Sequence, residues 1–237
     1  MAALDAELGA GWVKSVTPGF APERAVLIDD RWATAREDVA RLGSGETDLD
    51  AFRRLLAPER FVGLGQAVAD HATWWAKQAK ASDLADGAER AAVLTEIAQA
   101  APKTPQAGDA TVRWSEDVAV VTGVAPGSIA AAVVGELLAG GATVVATSSR
   151  LTHERLEFAT TLYREHAAAG AKLWMVPANL SSYRDVDALA EWIGNDQVVT
   201  SGGSTKVVKE ALVPTLLFPF AAPRVSGTLA DAGPAAE

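Results

Sequence analysis

One short stretch of the sequence carries the residue types best suited to bind a phosphate-containing ligand. An apolar run of strand-forming residues, Val118–Val121, is followed by Thr122-Gly123 and then by Gly127-Ser128-Ile129 at the start of an alanine-rich segment. Glycines between a strand and a helix let the backbone approach a ligand where a side chain would collide with it. The helix that follows presents unpaired N–H groups and the positive end of its dipole, which suit a phosphate. The stretch therefore predicts a dinucleotide-binding turn.

The glycine spacing alone is compatible with other kinds of turn. The phosphate loop of nucleotide hydrolases needs Gly-Lys-Ser/Thr at its end, whereas Gly127 is followed here by Ser128-Ile129. Ser128 also lacks the flanking glycines of a nucleophile elbow, since Pro126 and Ala130 stand in their places. Many strand-to-helix turns contain glycine for packing alone, so the turn by itself leaves packing and cofactor binding open.

The residues after the next predicted strand indicate which dinucleotide would bind. In NAD-binding units an acidic residue about 20 residues beyond the glycines holds the ribose hydroxyls. This sequence has Thr147-Ser148-Ser149-Arg150 at that place, so no carboxylate repels a 2′-phosphate. Arg150 can pair with that phosphate in a forked geometry, and the neighbouring hydroxyls can donate hydrogen bonds to it. The segment favours NADPH over NADH, the alternative being that Arg150 simply begins a solvated loop.

Two further positions after predicted strands complete the set of candidate binding residues. Asn179 follows the third strand, where a short polar side chain could contact the adenine ring or cap its own loop. Pro219-Phe220-Ala221-Ala222 follows the fourth strand, where the nicotinamide half of the cofactor would pass. The small side chain of Ala221 would admit the cofactor there, and a tight turn that needs small residues is the alternative.

No grouping of residues in the sequence predicts a metal site or a Ser/His/Asp triad. His153 and Glu157 are four residues apart on a predicted helix, but no third ligand has suitable spacing. We therefore expect these two residues to lie on a solvated helix face.

Composition argues against several classes of partner and site. The formal net charge of −9 argues against nucleic acid or an anionic membrane as the main partner, and it is compatible with a cytoplasmic protein. The chain has no cysteine, so disulfides and thiolate metal sites are excluded. No apolar run is long enough to span a bilayer, so no membrane partner is expected.

The elements that must position these residues fall into two segments, of which residues 1–109 form a mainly helical scaffold. Helical spacing and capping residues predict helices at 34–42, 48–56, 62–80 and 83–101. A short buried strand is predicted at 25–28, and the run of prolines and glycine at 102–109 is typical of a linker.

The second segment, residues 110–237, changes to strand–helix alternation. Strands are predicted at 118–121, 143–147, 172–176 and 215–218, with helices at 129–138, 152–169 and 182–193. The polar, Gly- and Ser-rich stretch 195–205 is predicted to be a mobile loop. Strands separated by helices of this length predict a parallel sheet with helices on both faces. The expected fold class is α/β, with a partial, doubly wound Rossmann-like sheet preceded by the helical segment.

Four stretches together resemble a known family: Val118–Gly123, Pro126–Ile129, Ala146–Arg150 and Leu217–Pro223. They are similar to the β-ketoacyl reductase region of the multifunctional type I fatty acid synthases of mycobacteria and relatives, with fungal synthases more distant. Those regions belong to the short-chain dehydrogenase/reductase superfamily, and the resemblance covers residues 115–225. It implies NADPH-dependent reduction of a β-ketoacyl thioester carried on acyl carrier protein, in company with other fatty acid synthase domains.

The resemblance also implies roles for individual residues within the set that begins at Thr122. Gly123, Gly127, Ser128 and Ile129 would line the pyrophosphate, and Ser149 and Arg150 the 2′-phosphate. Asn179 would lie by the adenine and Ala221 by the nicotinamide ribose.

The sequence departs from the family pattern at two places. Ala130 stands where the fungal pattern has a further glycine, which is a small change. The family's active site uses a serine, and a tyrosine with a lysine four residues later, all beyond the fourth strand. The lysine lowers the pKa of the tyrosine, which donates its proton to the carbonyl oxygen. Ala167 and Asp187 stand four residues after Tyr163 and Tyr183, so the sequence resembles the front part of a reductase and predicts no catalytic residue.

Three interpretations of the chain follow from this pattern. In the first, another polypeptide supplies a complementing reductase segment that carries the tyrosine and lysine. In the second, the chain is a catalytically inactive remnant or an assembly module, acting through its helical segment and an open sheet edge. In the third, a methyltransferase uses a similar turn, although it would usually carry a carboxylate where Ser149-Arg150 stands.

Overall fold

The computed structural model describes residues 24–55, 57–180, 182–201 and 204–220 of the 237-residue chain. The helices before the linker are α1 (Arg31–Ser44), α2 (Leu49–Leu55), α3 (Gln66–Ala81) and α4 (Gly87–Ala100). Those after it are α5 (Ile129–Ala139), α6 (His153–His166) and α7 (Tyr183–Gly194). The strands are β1 (Val26–Ile28), β2 (Val118–Val121), β3 (Thr143–Ser148), β4 (Lys172–Pro177), β5 (Gln197–Ser201), β6 (Ser204–Lys209) and β7 (Leu216–Phe218).

Five of these strands form one sheet in the spatial order β1-β4-β3-β2-β7. Strands β2, β3, β4 and β7 run parallel, whereas β1 pairs with β4 in the antiparallel direction. The three central strands are apolar throughout most of their length because both faces of the sheet are covered. This mostly parallel sheet confirms the predicted α/β class with a partial Rossmann-like arrangement.

Different helices cover the two faces of the sheet. On one face, α5 and α6 pack against strand residues that include Val121, Val144 and Leu173. On the other face, α7 packs against the residues that alternate with them, and the rings of Trp174 and Trp192 meet edge to face with centroids 5.3 Å apart. The period of two along each strand therefore separates the two cores.

The helical segment has a hydrophobic core of its own. Helices α1, α3 and α4 pack around a group of fully buried side chains: Val39, Leu42, Phe61, Val68, Leu94 and Ile97. Helix α1 begins at Arg31 rather than at 34, because the Asp30 carboxylate accepts a hydrogen bond from the Ala33 N–H at 2.8 Å and caps the helix there. Over the described ranges no helix combines the length and apolarity needed to cross a bilayer.

Strand β1 joins the helical segment to the sheet. Its three residues precede α1 and pair with Leu173–Met175 of β4. The sequence predicts a buried strand here, but the three residues are only half-buried. The reason is that β1 lies at the edge of the sheet. The division of the chain after residue 109 stays a prediction, and the sheet takes one edge strand from the first of the two segments.

The prediction of a loop at 195–205 is wrong, because β5 and β6 pair there as an antiparallel hairpin. Valine and threonine dominate both strands, and such β-branched side chains favour extended backbone. Lys209 anchors the hairpin, since its ammonium group donates to the carbonyls of Ile193, Asn195 and Glu210 at 2.9, 3.0 and 2.9 Å. The polar, Gly- and Ser-rich composition of the stretch is typical of a loop, so the sequence alone did not indicate this strand pairing.

Two arginines of the helical segment bind the C-terminal end of α6. Arg60 Nη1 donates to the carbonyls of Glu165 and His166 at 3.0 and 2.7 Å, and Arg31 Nε donates to the Ala167 carbonyl at 2.8 Å. The last carbonyls of a helix lack intrahelical partners and carry the negative end of the dipole. The two guanidinium groups therefore satisfy the end of α6 and hold it against the helical segment.

Asp38 of α1 links this contact to a third arginine. Its carboxylate accepts a hydrogen bond from Arg164 Nε at 2.6 Å and lies 3.7 Å from Arg31 Nη1. The side chains of Arg31 and Asp38 are 2% and 4% exposed. Burial raises the pKa of Asp38, and the two guanidinium groups oppose that shift. The charges of Arg31, Asp38 and Arg164 therefore stabilise one another.

We expect Asp38→Ala to destabilise the protein by about 3 kcal/mol, because it leaves two guanidinium groups without their buried carboxylate. Urea unfolding followed by tryptophan fluorescence measures the loss. The matched control is Asp50→Ala, whose carboxylate is 81% exposed and lies 3.9 Å from Arg53 Nη1. That variant should unfold at the same urea concentration as the wild type. Equal losses in the two variants would contradict the assigned role of Asp38.

Two histidines should make the stability of the fold depend on pH. Burial and the charge of Arg60 lower the pKa of His166, and burial and Arg36 lower that of His71. The unfolded chain then binds more protons than the folded protein, so the free energy of unfolding falls as the pH drops below about 6.5. We expect the thermal midpoint to decrease between about pH 8 and about pH 5.5. A double variant with His71→Gln and His166→Gln should show a weaker decrease, and an unchanged slope would show that other groups cause it.

Candidate functional site

The candidate site lies at the carboxyl edge of the parallel sheet. Val121 of β2 stands opposite Ala146 of β3 and Phe218 of β7, and Ser148 of β3 stands opposite Pro177 of β4. The segments that follow these four strands therefore meet at one edge, the position where open α/β sheets bind their ligands. The structure brings Thr122, Gly123, Ser149, Arg150 and Asn179 to this edge.

The glycine turn after β2 is held against the end of β3. Gly123 and Gly127 have φ angles of +73° and +70°, a conformation that L side chains rarely adopt. Between them, the Val124 N–H donates to the Thr147 carbonyl at 3.2 Å. Thr122 is buried beside this bond, and its own N–H donates to the Phe218 carbonyl at 3.0 Å. The turn is thus fixed by neighbouring strands on both sides.

Ser128 caps the helix that starts at this turn. Its Oγ accepts from the N–H groups of Ala131 and Ala125 at 3.1 and 3.2 Å and donates to the Ala125 carbonyl at 2.7 Å. The structure records no partner among the described residues for the N–H groups of Ile129 and Ala130. The first turn of α5 contains no acidic residue. These donors and the helix dipole suit an anionic oxygen just outside the turn.

The segment after β3 presents the candidate 2′-phosphate residues to solvent. Ser149 and Arg150 are exposed, whereas Ser148 is buried and its Oγ donates to the Arg150 carbonyl at 3.0 Å. The strand ends at Ser148, and the next two residues are exposed at the edge of the sheet. The Arg150 guanidinium is therefore accessible to a ligand at the edge.

The segment after β4 is ordered by the start of α7. The Asn179 N–H donates to Asp185 Oδ2 at 3.2 Å, and the Asp185 N–H donates to Ser182 Oγ at 3.3 Å. This arrangement is a variant of the capping box, as the Ser182 and Asp185 spacing predicts. Asn179 itself is half-buried. Ala221 lies outside the described residues, which end on this side at Phe220, whose ring stacks on Phe218 at 6.1 Å.

Arg155 also lies at this edge, although it was not among the residues predicted from the sequence. It is the third residue of α6, and its Nη1 donates to the Val124 carbonyl in the glycine turn at 3.3 Å. A signal was present in the sequence, because the helix predicted from residue 152 puts Arg155 in the first helical turn after β3, next to the same sheet edge. The guanidinium is half-buried.

Other side chains that could transfer a proton or bind a metal lie away from the carboxyl edge or on the surface. Tyr163 is fully buried and its hydroxyl donates to the Ala171 carbonyl at 3.0 Å, and burial raises its pKa. Tyr183 is 88% exposed on α7. His153 Nε2 lies 3.1 Å from Glu157 Oε1 on the solvent side of α6. The described part of the chain holds no group of three or more side chains that could bind a metal ion.

Over part of its length the chain is similar to fatty acid synthase alpha subunits of fungi. It is 42% identical over 84 residues to the fatty acid synthase subunit alpha of Candida parapsilosis, a stretch that covers 35% of this chain and 4% of that protein. It is 38% identical over 103 residues to the subunit of Schizosaccharomyces pombe, covering 44% of this chain and 6% of that protein. The subunit of Saccharomyces cerevisiae is 39% identical over 82 residues, which cover 35% of this chain and 4% of that protein.

The chain thus matches about a twentieth of the length of these relatives. No protein-family model matches it. The similarity confirms the expected relation to fatty acid synthases. The reductase activity, its superfamily and its cofactor stay predictions.

We expect Gly127→Ala to destabilise the protein by about 1 kcal/mol, because an alanine at positive φ is strained even where its Cβ meets open space. Gly170→Ala is a matched control, since Gly170 has a φ of +87° and open space around it but lies in the turn before β4. Chemical unfolding should give similar losses for both variants. A much larger loss for Gly127→Ala would mean that the turn has less room than the structure gives it.

Proposed function

We propose that this chain is the NADPH-binding portion of a 3-oxoacyl-ACP reductase in a type I fatty acid synthase. Its relatives are fatty acid synthase alpha subunits, and the motifs at Gly123–Ile129 and Ser149-Arg150 resemble those of ketoacyl reductase regions. In this proposal residues 1–109 act as a helical scaffold and residues 110–237 carry the cofactor. Acyl carrier protein and other synthase domains are the proposed partners.

One observation supports the proposal most strongly: the anion-binding features of the chain converge on one sheet edge. The glycine turn, the open N–H groups at the start of α5 and the exposed Arg150 guanidinium all follow strands that end together. A pyrophosphate at the turn would meet N–H donors without a competing carboxylate in the first turn of α5, and a 2′-phosphate at Arg150 would meet a guanidinium.

The proposed chemistry divides between this chain and a second segment. Bound NADPH would supply a hydride to the β-carbon of the ketoacyl thioester, and the carbonyl oxygen would take a proton to give the β-hydroxyacyl thioester. The residues of this chain bind and orient the cofactor: Ser128 holds the start of α5 in place, and Arg150 pairs with the 2′-phosphate. The proton donor would be a tyrosine of the complementing reductase segment, because Tyr163 is fixed in the core by its bond to Ala171 and Tyr183 is followed four residues later by Asp187 instead of a lysine.

An exposed apolar hairpin favours a second candidate function, that of an assembly module. The valines of β5 and β6 are all about half exposed: Val198, Val199, Val207 and Val208 at 56%, 53%, 47% and 46%. Val198 and Val207 stand opposite each other in the hairpin, and exposed apolar side chains that lie together are typical of contact with another protein. A chain that binds other synthase domains without binding a cofactor would fit this function.

The cofactor proposal predicts that the chain binds NADPH more tightly than NADH and that Arg150 causes the difference. We expect Arg150→Gln to weaken NADPH binding by about tenfold, through loss of a charge-assisted pair, and to leave NADH binding unchanged. Isothermal titration calorimetry with each cofactor measures both affinities. Arg113→Gln is the control, since it removes the same charge from an exposed side chain just before β2, at the opposite end of that strand.

Two results would contradict parts of this proposal. If the wild-type chain bound neither NADPH nor NADH, that result would contradict the proposed reductase function and would favour the assembly function. Measurable ketoacyl reduction by the chain alone would show that no complementing segment is needed.

A further inference from the structure

Arg155 is a half-buried cation at the candidate site, and the motif resemblance assigns it no role. Its Nη1 binds the Val124 carbonyl at 3.3 Å, and Val124 is joined through its own N–H to Thr147 at the end of β3. Arg155 therefore lies on the β3 side of the glycine turn. This is the side on which Ser149 and Arg150 leave the sheet.

The other buried or half-buried arginines among the described residues have stronger partners. Over the described ranges the arginines that are not exposed are Arg31, Arg60, Arg90, Arg155 and Arg164. Arg31, Arg90 and Arg164 each form an ion pair with an aspartate, and Arg60 binds two carbonyls at a helix C-terminus. Within the same ranges Arg155 has the Val124 carbonyl and no ion pair. A guanidinium has five N–H donors, so Arg155 keeps donors for a further acceptor.

The remaining N–H donors of Arg155 could bind the negatively charged 2′-phosphate of the expected ligand. A phosphate monoester carries between about 1.5 and 2 negative charges at pH 7, so the single charge of Arg150 does not balance a 2′-phosphate. The chain as a whole has a net charge of −9, which makes an unassisted dianion less favourable still. A second guanidinium on the same side of the turn would complete the neutralisation.

We propose that Arg155 is a specificity-determining residue that binds the 2′-phosphate of the cofactor together with Arg150. This inference rests on the proposed function. The hydrogen bond from Nη1 to the Val124 carbonyl holds the planar guanidinium beside the turn, and its remaining donors are available for a phosphate. The same bond couples the position of the phosphate-binding group to the glycine turn that would hold the pyrophosphate.

The competing explanation is that Arg155 only braces the turn. The two roles differ in which cofactor they affect. A brace supports the turn for NADPH and NADH alike, whereas a phosphate ligand acts on NADPH alone.

The test measures NADPH and NADH affinities of the full chain by calorimetry for the wild type, Arg155→Gln and Arg155→Lys. Arg41→Gln, which removes an exposed charge from α1, is the control. We expect Arg155→Gln to weaken NADPH binding by about tenfold and to leave NADH binding unchanged. Arg155→Lys should recover part of the loss, because it keeps the charge without the fork. Equal weakening of both cofactors, or no weakening of either, would overturn the inference.

A second measurement needs no variant. Phenylglyoxal modifies accessible arginines, and peptide mass spectrometry gives the rate at Arg155. We expect NADPH to slow modification at Arg155 and NADH to leave it unchanged, and equal rates with both cofactors would overturn the inference even if Arg155→Gln fails to fold. A wild-type chain that binds neither cofactor would end the proposed function and this inference together. NADPH binding that depends on Arg150 but not on Arg155 would end this inference alone.

Discussion

The candidate site depends on the parallel register of β2 and β3. The hydrogen bond from the Val124 N–H to the Thr147 carbonyl continues this pairing beyond the end of β2. It sets the glycine turn beside the end of the neighbouring strand rather than above the middle of the sheet. A shift of one residue would exchange the side chains that β2 presents to the two cores, putting Val120 where Ala119 and Val121 pack, so the side-chain volumes would no longer match either core. Because Ala119, Val121 and Val120 are buried against different helices, that shift is strongly disfavoured. Core packing thus determines where the backbone donors of the turn lie.

Helix α6 connects the glycine turn to the helical segment. Its N-terminal turn contacts the glycine turn through Arg155, and its C-terminal carbonyls are bound by Arg31 and Arg60. The 14-residue helix is about 20 Å long, so one rigid element spans the distance between the candidate site and the buried charges around Asp38. The helical segment therefore supports the site by fixing the far end of α6. Loosening that end would let the helix tilt and would move Arg155 relative to the turn.

The sequence was sufficient to predict the elements whose patterns are local. The apolar runs of β2, β3 and β4 and the helices predicted to start at 129 and 152 placed the sheet and its carboxyl edge correctly. The hairpin of β5 and β6 could not be predicted in the same way, because its anchor is the contact of Lys209 with two carbonyls at the end of α7, those of Ile193 and Asn195. The contact of Arg155 with Val124 joins residues 31 positions apart, and no periodic pattern reveals such a bond. Arg31 shows the same limit, since its partner Ala167 is 136 residues away.

The proposed need for a complementing segment requires a place on this fold where such a segment can join. Strand β7 supplies one, because it pairs with β2 on one side, and over the described ranges no strand pairs with its other side. Its middle residue, Leu217, is 67% exposed, and a free strand edge with apolar side chains favours the addition of another strand. Strand addition there would extend the sheet next to Phe218, which ends β7 opposite Val121 of β2, and next to Phe220, whose ring stacks on Phe218. A segment bound at β7 would therefore bring its own side chains to the edge where Gly123 and Gly127 lie, which is the geometry that a shared active site demands.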